Sequence, residues 1–154
     1  MIAEITPQIH STVSLDSPDG SGTIDVDKQL GHVVERIWGL GHTTMMSCQD
    51  IGHYIEQATP PAFVIPGDVE YHRGLAWIKM PLLSARDLLD DLKRTPFRDR
   101  LVCPWRRGSW RMLARIGLSN DGGFDVSAAH LYFPANQIPE LQTVLSDLKE
   151  ENDR

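Results

Sequence analysis

Cysteine is scarce in this chain: Cys48 and Cys103 are the only two, and they form no Cys-x-x-Cys pair. That excludes a disulfide framework and the common zinc-ribbon patterns, and points to free thiols in a reducing cytoplasm. No run of about 18 apolar residues occurs, so no membrane span is expected. The opening MIAEITPQIHSTVSLD lacks the basic start and apolar core of a secretion signal. No glycine-rich loop opens a helix, because GLGH follows a helical pattern rather than preceding one. No G-x-S-x-G elbow and no HExxH occurs. A nucleotide fingerprint, a serine-hydrolase elbow and a metalloprotease helix are thereby excluded, and no cofactor signature is left.

What is present is ordinary in bulk and uneven in detail. The 154 residues suit one domain able to bury a core without a metal or disulfide, and 41% hydrophobic and 23% charged residues are globular values. A net charge of −6 argues against indiscriminate nucleic-acid binding by the whole molecule. Yet Lys93 to Arg115 holds eight basic residues against the single acid Asp99, so this segment carries +7 and the remainder −13. Such asymmetry is a local electrostatic signal.

Residues 1–24 read as an N-terminal extension with one short strand, STVSLD, before the turn-rich SPDGSG. Residues 25–150 read as a single α+β domain, and 151–154 as a fraying tail. Asp25 or Asp27 can cap a first helix, with Leu30, Val33, Val34, Ile37 and Trp38 on its apolar face and Gly39 and Gly41 as stops. HTTMMSC reads as a strand entering the core. Residues 49–73, with three prolines in ATPPAFVIPGD, read as irregular. GLAWIKM is a strand, followed by a helix with Ser84 and Asp87 as its capping box and Leu88, Leu89 and Leu92 as its apolar face. SWRMLARIGLS and FDVSAAHLYF pair as a hairpin across NDGG. Asn136 can cap a last helix with Ile138, Leu141, Val144, Leu145 and Leu148.

AWIKMP and AHLYFP echo each other, with leucines seven and eleven residues after the proline in both copies. Structural duplication is one reading and coincidence the other. Helices with one apolar stripe need a sheet to cover. The expected fold is therefore a two-layer α+β sandwich, with an antiparallel-rich sheet of four or five strands under about three helices. The order αββαββ is also a circular permutation of the ferredoxin-like βαββαβ pattern.

Two candidate sites stand out. In HTTMMSCQDIGH, Cys48 ends a strand with Asp50 and His53 just beyond. A thiol beside an imidazolium can act as a nucleophile, and sulfur with nitrogen can bind zinc. His-x5-Cys-x4-His is not a recognised zinc spacing, and His42 at the far end of a strand would lie roughly 20 Å from Cys48. No metal set is therefore assigned; Cys48, His53 and Asp50 are the candidate catalytic residues, against a structural thiol in the core. ERIWGLGHTTMMSCQD resembles a W-x-x-G-x-x-T-x-x-S-C motif of small uncharacterised bacterial and phage α/β proteins, with Trp38, Gly41, Thr44, Ser47 and Cys48 in place and AWIKM as the following strand. That resemblance implies a shared fold and no particular activity. TT-x-x-SC is also similar to part of the TTSSCSGR motif of the wybutosine-synthesis tRNA methyltransferases, from which Gln49 and Asp50 depart.

The second site is RTPFRDRLVCPWRRGSWRMLAR. Its Arg98, Arg100, Arg106, Arg107 and Arg111 offer paired donors to phosphate, and Trp105 and Trp110 offer planes for bases. Pairing with acids such as Asp87, Asp90 and Asp91 is the competing expectation. The leading functional reading is a cytoplasmic binding or accessory protein, not an enzyme, that contacts nucleic acid or an acidic protein surface through this segment. A thiol- or metal-dependent enzyme and a subunit of a homo-oligomer are the alternatives.

Overall fold

The computed structural model describes residues 9–101, 108–114, 117–118, 121–122, 124–125 and 128–154. In chain order these form β1 (Thr12–Asp16), β2 (Thr23–Asp27), α1 (Gly31–Gly39), β3 (Met46–Cys48), α2 (Ile51–Ala58), α3 (Asp68–His72) and β4 (Leu75–Pro81). There follow α4 (Leu82–Leu92), α5 (Arg98–Leu101), β5 (Arg111–Ala114), β6 (Gly117–Leu118), β7 (Phe124–Asp125), β8 (Ala128–Pro134) and α6 (Ile138–Asn152). No helix among the described residues is long and apolar enough to cross a membrane.

The central sheet has four strands in the order β3-β4-β8-β5, every neighbour antiparallel. Taken by their place in the chain, the strands lie first, second, fourth, third. Permuting βαββαβ so that its first strand comes last gives this same order, as the sequence pattern anticipates. The echoed segments are hydrogen-bonded neighbours: Ile78 faces Leu131, Ala76 faces Phe133 and Met80 faces Ala129.

Alternation along these strands decides the layers, because successive side chains point to opposite faces. Ala76, Ile78, Met80, Ala129, Leu131 and Phe133 are all buried on one face. Over them lie the apolar stripes of α1 (Val33, Val34, Ile37), α4 (Ala85, Leu88, Leu92) and α6 (Leu141, Val144, Leu145, Leu148). The leucines seven and eleven residues after each proline are all within this core. The α+β two-layer expectation therefore holds, and the three covering helices are those the periodicity marks.

Several local expectations are corrected. Asp25 and Asp27 do not cap α1; both lie in β2, which Asp27 ends and whose hairpin with β1 (Thr12 opposite Asp27) buries Leu15 and Val26 in the same core. That hairpin crosses the boundary drawn at residue 25. A single turn at Lys28–Leu30 leads into α1 without a side-chain cap. Ser84 lies inside α4, which starts directly after Pro81, and its hydroxyl accepts from the Thr43 backbone N–H instead. Asn136 likewise sits in a short turn before α6 and caps nothing. The final helix runs to Asn152, past the expected start of fraying.

The largest difference is residues 49–73, expected to be irregular and found to hold α2 and α3. The Asp50 carboxylate starts α2 by accepting from the His53 N–H at 3.1 Å, and it also accepts from the Gly74 N–H at 3.2 Å. Gly52 permits close packing there, since a Cβ would come within 2.5 Å of the Arg73 backbone. Asp50→Ala is therefore expected to lower stability by about 1–2 kcal/mol, the usual cost of a lost N-cap, read as a shift in urea midpoint.

Candidate functional site

Cys48 ends β3, an edge strand, and its register partner Trp77 places it on the sheet face away from the three covering helices. The β1–β2 hairpin stands beside this edge. Its open end is closed by the Lys28 N–H donating to the Ser11 carbonyl at 2.8 Å. Asp27, at the end of β2, accepts from the Gln49 N–H at 2.8 Å, and the Gln49 side chain accepts from the Gln29 N–H at 3.1 Å. These bonds tie the hairpin to the residue after Cys48 and leave the Asp27 carboxylate beside the thiol.

His10, just before β1, completes the cluster. Its Nδ1 lies 2.9 Å from Asp27 Oδ2 and 3.8 Å from Cys48 Sγ, and its Nε2 lies 2.8 Å from His53 Nδ1. The His10 side chain is only 6% exposed. His10, Asp27 and Cys48 thus bring one nitrogen, one oxygen and one sulfur within 4.8 Å of one another. A cavity of about 280 Å³ opens over them, walled also by Ile9, Met46, Ile51, Tyr54 and Trp77.

The electrostatics decide what the thiol can do. Burial, followed by the nearby charges of Asp27 and Asp50, pushes the Cys48 thiol up to about 12, although the Asp50 backbone N–H works the other way. A thiol in that state is protonated near neutral pH and is a poor nucleophile. The ring nitrogen that faces the sulfur is shared with Asp27, so no separate imidazolium stands ready to activate it. In a Cys103→Ser background, iodoacetamide is expected to label native metal-free protein at pH 7–8 far more slowly than unfolded protein. Because the thiol is raised, the rate should climb only as pH passes well beyond the free-cysteine range near 8.5. Rapid labelling at pH 7 would contradict this environment.

The same donors suit a metal far better than an acyl or phosphoryl acceptor. Imidazole nitrogen, carboxylate oxygen and thiolate sulfur are the three zinc ligand types. Bonds of 2.0–2.3 Å in a tetrahedron set donors roughly 3.3–3.8 Å apart. The 3.8 Å from sulfur to Nδ1 already fits, and the shorter 2.9 Å from Nδ1 to the carboxylate is a hydrogen bond that a cation would replace. A divalent cation also offsets the carboxylate and the thiolate it would generate, since coordination deprotonates a thiol that burial alone keeps neutral.

The sequence-predicted residues are therefore sorted as follows. Cys48 is at the centre. His53 reaches it only through His10, as an outer partner whose rings stand 5.0 Å apart. Asp50 spends one carboxylate oxygen on two backbone N–H groups and acts as a cap and clamp. His42 is elsewhere, bonded to Asp91 at 2.8 Å. His10 and Asp27 were not among the predicted site residues. The signal that could find them is the SPDGSG turn between two alternating segments, which sets Thr12 opposite Asp27 and so brings His10 to the same end.

Among the described residues, the cations of the basic segment do not gather on one surface. Arg100 pairs with Glu140 of α6 at 2.7 Å and lies over the Phe97 ring, while Arg94 pairs with Asp91 at 2.7 Å. Arg98 is exposed on α5 and Arg111 is exposed on β5, its guanidinium 4.7 Å from the centre of the Tyr71 ring. Trp110 corrects the expectation of a base-stacking plane. It is 6% exposed, its ring stacks on Phe133 at 4.5 Å, and it is part of the core. Trp105, Arg106 and Arg107 lie outside the described residues. No family model, curated protein or solved structure matches the chain significantly.

Proposed function

We propose that His10, Asp27 and Cys48 hold one zinc-class metal ion, and that the protein is a metal-dependent enzyme with its fourth coordination position open to the cavity. The observation that carries this reading is the convergence of three different donor atoms within 4.8 Å at the base of that cavity. Structural zinc sites close with four protein ligands, whereas catalytic ones keep three and leave a place for water or substrate. The apolar wall contributed by Ile51, Met46 and Trp77 would lower the local dielectric and strengthen the field of the ion on anything bound there.

Cobalt(II) titration of metal-stripped protein tests this directly. The expected result is one equivalent bound, with a near-ultraviolet thiolate-to-cobalt charge-transfer band and displacement by zinc. Absence of that band at saturating cobalt would remove the proposal. His53 has a distinct part in it. Accepting the His10 Nε2–H through its own Nδ1 would leave His10 Nδ1 with a lone pair for the metal. Loss of such outer partners typically weakens metal binding 10–100-fold, so His53→Ala should weaken zinc binding by about that factor without removing the charge-transfer band.

A second reading, polyanion contact, draws support from cationic side chains on the sheet face that bears Trp77, and it has consequences of its own.

A further inference from the structure

The face of the central sheet opposite the helical layer has an unusual composition for this acidic chain. Register sets Cys48, Trp77, Tyr132 and Arg111 in one row across all four strands, and Met46, Lys79, His130 and Leu113 in the next. No aspartate or glutamate occupies an outward position on any of the four strands, although the chain carries 21 acids against 15 lysines and arginines. Among the described residues, Lys79 and Arg111 form no ion pair. Lys93, Arg94 and Arg100, by contrast, bind Asp90, Asp91 and Glu140. The acids at its margins are engaged: Asp27, beside Cys48, contacts His10 at 2.9 Å, Asp50 accepts from the His53 and Gly74 N–H groups, and Asp68 of α3 is turned to His72 at 3.2 Å.

The aromatic side chains of the face are held in place. Trp77 stacks on His130 at 5.6 Å and donates from Nε1 to its Nδ1 at 3.0 Å. Tyr132 lies 5.9 Å from the His72 ring and Arg111 lies over Tyr71. Rings already fixed lose little freedom when a flat partner arrives. Neighbouring strands are about 4.8 Å apart, so Trp77, Tyr132 and Arg111 span roughly 10 Å in a line.

We propose that this face binds single-stranded nucleic acid, with bases against Trp77 and Tyr132 and phosphates at Lys79 and Arg111. Trp77 and Tyr132 are half-buried, so part of each ring is accessible, and aromatic side chains so placed on a four-stranded antiparallel sheet, flanked by cations, suit splayed single-stranded bases. A duplex hides those bases and offers only its backbone. The surface adjoins the metal cavity through Trp77, but its test uses Lys79, Arg111 and Tyr132, none of which lines that cavity, so the two proposals fail separately.

The test is fluorescence anisotropy of the full chain with a labelled single-stranded dodecamer at 50 and 200 mM salt. Binding is expected at the lower salt and a clear loss at the higher. The double variant Lys79→Gln, Arg111→Gln should reduce the magnitude of the log–log salt slope by about 1.4, since each phosphate contact on a single strand contributes roughly 0.7. Tyr132→Leu should weaken binding about fivefold or more through lost stacking. Arg94→Ala, on the helical side of the sheet, should change nothing. Circular dichroism of each variant checks its fold, and the glutamine variants, which keep most of each side chain and remove only its charge, keep the test valid if Tyr132→Leu misfolds. No binding at 50 mM salt, an unchanged slope in the double variant, or equal affinity for the corresponding duplex would each overturn the proposal. So would equal displacement by polyglutamate, which would assign the face to acidic protein surfaces instead.

Discussion

Cys48→Ala is expected to cost at least a hundredfold in zinc affinity and to erase the cobalt charge-transfer band, while the protein stays folded. The thiol supplies the only sulfur of the three donors, so its loss leaves an imidazole and a carboxylate, too few to hold a tetrahedral ion tightly. The effect should exceed the 10–100-fold typical of outer partners, and hence exceed that of His53→Ala. The fold should survive because the change removes one small buried atom, comparable to a methylene at about 0.8 kcal/mol. It also removes a group that burial already keeps neutral. Asp27→Asn separates ligation from architecture: the amide oxygen can still accept from Gln49, but the charge that balances the cation is gone. If Cys48→Ala bound zinc as tightly as the parent protein, the metal centre would have to be abandoned.

Trp110→Ala is expected to destabilise the protein by about 3–5 kcal/mol, the range for truncating a buried large aromatic residue. The ring stacks on Phe133, meets Phe97 edge-on at 5.8 Å, and donates from Nε1 to Gln137 Oε1 at 2.9 Å. Gln137 is itself buried and donates to the Gly108 carbonyl at 2.7 Å, so Trp110 secures the chain where it enters β5. Truncation removes the packing and also leaves the Gln137 oxygen unpaired, an added cost of about 1–3 kcal/mol where water cannot reach it. Against a total stability of 5–15 kcal/mol for ordinary domains, that is a large fraction. Trp110→Phe keeps most of the stacking and loses the hydrogen bond, so it should cost clearly less. Urea denaturation of both variants measures this. A Trp110→Ala midpoint close to the parent's would mean that the ring is not holding the core together.

These two variants show where the sequence was and was not a sufficient guide. Cys48 could be singled out because it ends a short strand before a polar stretch. Its chemistry could not be read, because its partners are distant in the chain: His10 is 38 residues away from it, and Asp27 reaches Gln49 across 22. Asp27 carries a strong local meaning, helix capping, which the hairpin overrides by pairing it into β2. Trp110 was misread for a related reason. Its arginine-rich neighbours suggest a surface, but a strand alternates, so Trp110 turns inward beside Phe133 while Arg111 turns outward.

The sequence by itself determined the layers. Period-two alternation in AWIKMP and AHLYFP and the leucines spaced seven and eleven residues beyond each proline leave one arrangement that buries all of them, one sheet face covered by the helices that carry those stripes. Such patterns are local, and burial of apolar area acts on them without regard to partner. Only the tertiary structure decided the chemistry. Bringing His10, Asp27 and Cys48 together, and leaving Lys79 and Arg111 on a face whose strands carry no acid, depends on strand register and hairpin docking, and a register shift of one residue would turn the strand side chains to the other face.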